Sequence, residues 1–407
     1  MKNIPHYLLA ASFCGLALFI PFSIAGANAA IMIGFVAVLI LALTDSEARG
    51  RYRLVKGDPM LFGALLLVLS ALPAVLMSEN LPRALRDWKS YWILLVYFLV
   101  AYNLTSDRLR RTVFWILLGS ASASSLVALV QYLGGLEIGP IKIASQSYRP
   151  GGTLYNMTFA GILYQLITLN VTSAIQYKPR DRGLWAIALG VACQLAALLL
   201  TLTRGAWLAL IAGFLAIPFT LRRKRLLFAV IGVFVITGFV AIQNDRIRDR
   251  AVTIVKSVRQ PTDSNVSTRL VLWDISWEVF KEHPIFGVGM GDYSIEAKRH
   301  LANRDVRTTV DSHNIYLQML ATRGLFGFIP FVVFWILLFR GLRSSLRDTT
   351  ANKDRFAQHF VAGTIAAAIA ILVGALTENN IDDSEVFICF MFLVGVARSH
   401  SLTRQDG

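Results

Sequence analysis

Long stretches without a charged residue recur from one end of this sequence to the other, and they leave few folds open. A helix needs roughly 20 apolar residues to cross about 30 Å of hydrocarbon, where only structures that satisfy their own backbone groups persist. About twelve such stretches are read here, near 7–25, 29–44, 60–77, 90–103, 112–133, 153–177, 184–202, 205–220, 226–242, 314–339, 359–377 and 386–397. The runs at 90–103 and 386–397 fall short of spanning length unless flanking polar residues are drawn in or neighbouring helices cover them. The expected fold is all-α and polytopic. Helices 1–9 occupy residues 1–242, a loop domain of short helices residues 243–312, and helices 10–12 with a short tail residues 313–407.

Forty Lys and Arg against 25 Asp and Glu give a net charge of +15, so the position of the cations decides what that charge means. With a cytoplasmic N-terminus, the inner connections hold 22 cations, while the short outer connections hold six: Arg83, Arg86, Lys89, Lys142, Arg149 and Arg204. That asymmetry orients the chain and accounts for most of the charge. No basic patch interleaved with aromatics is left for a nucleic acid, which is excluded as a partner. The N-terminal apolar run before Ala27-Asn28-Ala29 is read as a retained helix rather than a cleaved leader. Cys14, Cys193 and Cys389 each sit in an apolar stretch without metal-ligand or redox spacing, so neither a disulfide framework nor a zinc site is expected.

The loop over 243–312 has nearly balanced charge, eleven cations against ten anions. A surface helix is expected over 244–258. A second is expected from Thr268 to Glu282, capped by Ser267, ended by His283-Pro284, and packed through Leu270, Trp273, Trp277 and Phe280.

In a membrane bundle, polar residues at the outer helix ends carry the chemical information. Arg204 sits in Thr201-Leu202-Thr203-Arg204-Gly205-Ala206-Trp207 at a tight outer turn. It reads either as a snorkelling turn arginine or as a fixed guanidinium that forks onto phosphate oxygens. Arg269, placed in the first turn of the second loop helix, reads either as a partner of Asp263 or Asp274 or as part of an anion site. His313 follows Asp311 and Ser312, which resemble an N-cap. The helix dipole disfavours its imidazolium and Asp311 favours it, so the sequence does not sign its shift. The acidic cluster Glu378, Asp382, Asp383 and Glu385 lies on the last outer turn, and Gly287, Gly289 and Gly291 read as a helix-stop turn.

His313-Asn314, nine further residues and Gly324-Leu325-Phe326-Gly327 resemble the histidine-glycine motif of the O-antigen ligase family. Thr203 to Trp207, Ser267 to Leu270 with Trp273, and His283 to Gly289 are similar to the same family, and Arg149 through Gly152 to Asn156 is a looser match. The resemblance implies a polytopic glycosyltransferase of GT-C-like architecture in a Gram-negative inner membrane, with its site at the periplasmic face and both termini in the cytoplasm. It would move O-antigen from undecaprenyl pyrophosphate to an outer-core sugar of lipid A-core. By the same resemblance Arg204 and Arg269 hold the pyrophosphate and His313 acts on the acceptor hydroxyl, with Arg149, Asn156 and Asn314 as further substrate-binding candidates. The donor carries its own leaving group, so a single inverting displacement without metal or cofactor is expected.

The rival readings within the superfamily are an O-antigen polymerase and a protein O-oligosaccharyltransferase. The short stretch after Val396 leans against the second. A transporter, from another class, would need Gln131, Gln165, Asn170 and Gln194 to form a midplane site.

Overall fold

The computed structural model describes residues 3–134, 150–154, 157–173, 181–223, 264–301 and 311–402, with scattered positions between 232 and 252. Among the described residues the secondary structure is helical, without a strand. In chain order the helices are α1 (Ile4–Phe19), α2 (Ile24–Thr44), α3 (Ser46–Leu54), α4 (Pro59–Ser70), α5 (Leu72–Leu76), α6 (Leu81–Lys89), α7 (Leu94–Asn103), α8 (Asp107–Gly134), α9 (Met157–Ser173), α10 (Asp181–Leu200), α11 (Arg204–Thr220), α12 (Ser264–Glu282), α13 (Tyr293–His300), α14 (Ile315–Ala351), α15 (Arg355–Gly374) and α16 (Ser384–Leu402).

Seven helices among the described residues are long and apolar enough to cross a membrane: Ile24–Thr44, Pro59–Leu76, Asp107–Leu133, Arg182–Leu200, Ile315–Ala351, Arg355–Gly374 and Ser384–Leu402. Helices α1 and α11 are apolar but shorter. The chain is a multi-pass membrane protein. The weak run at 90–103 becomes a 3-10 turn, Ser90–Ile93, followed by the ten-residue α7. The run at 153–177 is represented by α9, whereas 226–242 and most of 244–258 fall outside the described residues. The run at 386–397 extends at both ends into α16, which is buried along nearly its whole length.

Apolar burial cannot hold helices together inside hydrocarbon, so close backbone approach and interhelical hydrogen bonds take over. Gly213 lets α11 lie against α15; a Cβ there would stand 3.1 Å from the Ala366 carbonyl. At the end opposite His313, buried Asp58 accepts the hydroxyls of Tyr97 at 2.7 Å and Tyr102 at 2.9 Å while it caps α4. Beside them Arg398 donates to the Gly341 carbonyl at 2.9 Å and to Ser345 Oγ at 3.1 Å. These bonds clamp α4 to α7 and α14 to α16. Two of the amides considered for a transport site, Gln131 and Gln194, take part in such contacts. Gln131 exchanges two bonds with the Gly152 backbone, and Gln194 accepts from Thr168 at 3.1 Å.

Helix α14 is broken at Gly324, whose φ of 57° and ψ of −162° are non-helical. The break frees two carbonyls and two amides, and the segment after α12 supplies partners for all four. Val288 and Gly289 donate to Ala321 and Thr322 at 3.0 and 3.1 Å, and Leu325 and Phe326 donate to Pro284 and Ile285 at 2.9 and 3.0 Å. The loop motif thus crosses the membrane helix at the motif glycine. Gly287 closes the expected turn after α12, donating to the His283 carbonyl at 3.0 Å, and also lies against the Thr322 and Arg323 backbone, while Gly289 stands 3.0 Å by its Cβ direction from Ser78 Cα. These glycines serve close approach of backbone to backbone.

Helix α12 departs from its expected face. Leu272, Ile275, Ser276 and Val279 are buried, while Leu270 and Trp277 are exposed. Two apolar stripes at three- and four-residue steps coexist on this helix, and packing against α13 and α14 selects the aliphatic one. Its start at Ser264 also lies earlier than expected, which moves Arg269 out of the first turn and removes the backbone amides beside it as an anion site.

Candidate active site

Four segments meet where α14 begins. Asn314 caps α14: its carboxamide oxygen accepts from Tyr316 N at 3.0 Å and Leu317 N at 3.2 Å. Ser312, buried, donates its hydroxyl to the Asn314 carbonyl at 2.7 Å. Asp311 accepts from the His313 backbone N–H at 2.8 Å, so the expected cap from Asp311 and Ser312 belongs one step later, to Asn314. Ile315 N donates to the Ala375 carbonyl at 3.0 Å, which ties this start to the end of α15 and brings in Glu378.

Between these bonds His313 adopts a left-handed backbone with φ of 50°. A bulky residue pays a strain of about 1–2 kcal/mol there and persists only where its surroundings fix it. Leu202, two residues before Arg204, has the same kind of conformation at φ 54°. Both turns that carry candidate site residues are therefore held by tertiary contacts.

The side chains converge on Glu378. His313 Nδ1 lies 3.4 Å from Glu378 Oε2 and 3.4 Å from Asp311 Oδ1. Arg269, across the loop, donates Nη2 to the other carboxylate oxygen, Glu378 Oε1. The turn that carries Arg204 packs on the same residues: a Cβ on Gly205 would overlap Thr377 Oγ1 and stand 3.8 Å from Glu378 Cγ. The Arg204 side chain is half-buried. Arg149 and Asn156 lie outside the described residues. Asn314 is buried and its carboxamide oxygen is committed to the cap.

Glu378 was not singled out from its neighbours on the last turn, and the structure divides that cluster. Glu378 faces His313 and Arg269 with its side chain 18% exposed, so it does not simply meet water. Asp383 is buried and caps α16 through Val386 N at 3.1 Å. No spacing rule links Glu378 to a histidine 65 positions earlier. The only local signal was an acid in the turn after an apolar helix.

The hydrogen bond that the imidazole donates to Glu378 raises the His313 pKa above its ordinary value; desolvation opposes it, Asp311 and the Glu378 charge add to it, and Arg269 subtracts. The raised value makes the neutral imidazole a stronger base and moves its appearance to higher pH. Glu378→Gln removes the largest of these influences. The His313 pKa is expected to fall in that variant. An NMR titration of the imidazole checks this; an unchanged midpoint would free His313 from the carboxylate.

A search of curated proteins returns no match for the chain. Residues 189–332 match the family model described as O-antigen ligase. The matched stretch holds Arg204, Arg269, His313 and the Gly324 break, whereas Glu378 lies beyond it. Over this stretch, about a third of its length, the chain is similar to the O-antigen ligase family.

Proposed function

We propose that this protein is a glycosyltransferase that moves O-antigen from undecaprenyl pyrophosphate to an outer-core sugar of lipid A-core at the periplasmic face of the inner membrane. The observation that carries the reading is the convergence of Arg269 and His313 on Glu378, with the Arg204 turn packed against the same residues.

His313 takes the proton of the acceptor hydroxyl as its oxygen attacks the anomeric carbon. The bond from that carbon to the pyrophosphate oxygen breaks, and its electron pair leaves with the pyrophosphate. Arg204 and Arg269 neutralise the charge that develops there, in a geometry that suits guanidinium better than ammonium. Attack opposite the leaving group inverts the anomeric centre. The carboxylate of the cluster answers a guanidinium and an imidazole, a donor set that supports arginines rather than a divalent ion in the phosphate role.

Purified protein in lipid, given the lipid-pyrophosphate donor and lipid A-core, tests this directly. Arg204→Ala and Arg269→Ala are each expected to lower transfer by about 10²–10³-fold. Wild-type rates from both would remove the assignment. In cells, loss of the protein should leave long glycan on the lipid carrier. Single repeat units on the core would instead identify a polymerase.

A further inference from the structure

The orientation of the chain leaves few cations on short outer connections, yet three of the six, Arg83, Arg86 and Lys89, fall on the nine-residue helix α6. Cations on that side run against the usual distribution, so their concentration on one helix asks for a ligand.

Helix α6 is fixed from below. Ala84 is buried, Trp88 Nε1 donates to the Val68 carbonyl at 3.1 Å, and Arg83 donates to Ser294 Oγ at 3.0 Å. The carboxylate of Asp292 holds the segment before the helix by accepting from Glu79 N at 2.8 Å and Asn80 N at 3.2 Å. Met290 N bonds the Ala74 carbonyl at 2.8 Å, so α6 lies at the same end of the bundle as the crossing at Gly324 and the His313 site.

Its upper face is amphipathic. Leu81 and Leu85 are each 45% exposed, and Leu76 and Met77 before them are exposed as well. Arg86 and Lys89 are exposed beside these side chains, and neither makes an ion pair among the described residues. At 3.6 residues per turn, Leu81, Leu85 and Lys89 fall within about 80° and Arg86 about 60° further round. Apolar side chains bordered by cations match a helix seated between acyl chains and phosphates. The helix runs into Ser90 and Tyr91, which with Arg323 and Asp382 are the polar residues lining a mostly apolar cavity of about 20 Å³. Asp382 stands four residues after Glu378 on the same turn.

We propose that α6 is a docking strip for the phosphate groups of the acceptor glycolipid, which it holds in the leaflet at the end of the bundle where Glu378 lies. This rests on the reading of the chain as a transferase to a phosphorylated glycolipid.

The test uses the full chain in detergent, with native mass spectrometry of bound lipid. The probes are a diphosphorylated glucosamine-disaccharide lipid, its dephosphorylated form and phosphatidylglycerol. Wild type is expected to retain the diphosphorylated lipid about tenfold or more better than the Arg86→Glu, Lys89→Glu double variant. The dephosphorylated form should not distinguish them. In the transfer assay the double variant should raise KM for the acceptor and leave kcat and the donor KM unchanged. Equal retention by both proteins would overturn the docking strip, and so would an equal loss of phosphatidylglycerol, which would mark a general anionic-lipid surface. A wild type that binds the glycolipid but transfers nothing would instead overturn the transferase reading.

Discussion

His313→Ala is expected to lower kcat for glycan transfer by about 10²–10⁴-fold, the range over which a positioned general base acts. Arg269, Glu378 and the Arg204 turn remain in place in this variant, so donor binding should change far less than turnover. The left-handed backbone at 313 makes His313→Asn the informative companion. Asparagine tolerates that conformation and offers no comparable base. Both variants should insert and elute as wild type, and single-turnover transfer with a preloaded donor separates chemistry from binding. Near-normal turnover from folded His313→Asn would exclude the imidazole as the base.

The second large effect falls on stability. Gly324→Ala places a methyl into the Ile285 carbonyl at a backbone conformation that L residues rarely adopt. The obstacle is backbone, which cannot rotate aside, and relieving it strains the four hydrogen bonds of the crossing. A loss of about 4 kcal/mol is expected, at the upper end for a single substitution. Thermal unfolding in detergent, followed by size-exclusion, reads it as a lower midpoint and a lower folded yield. Gly119→Ala is the control. A Cβ at 119, inside α8, meets open space, so no loss is expected there. Equal midpoints for the two variants would show that the crossing does not hold the structure.

The membrane spans were legible because twenty apolar residues in a row have few other uses, and the structure places helices on nearly all the described runs. Arg204 and His313 were legible as polar groups at helix ends, whereas Arg269 lies beyond the first turn of its helix. The meeting of Arg269 and His313 at Glu378 was not legible, because the packing of α14 against α15 brings that carboxylate in. The exposed aromatic stripe of α12 shows the same limit. Periodicity says that a helix has an apolar face, but the partner decides which of two faces is covered. The glycines at 287 and 289 read as punctuation in one dimension, and their use became visible only once a second backbone passed over them.

Glu378 also bears on selectivity among anions. Because a carboxylate already neutralises Arg269 and pairs with His313, a small free oxyanion must compete with an internal counter-ion that is permanently tethered nearby. A substrate concentrated in the bilayer by its polyisoprenoid tail has a local abundance that a dissolved salt lacks. For the donor proposed above, the tethered acid would act as a threshold that favours membrane-delivered diphosphate over orthophosphate in the surrounding fluid.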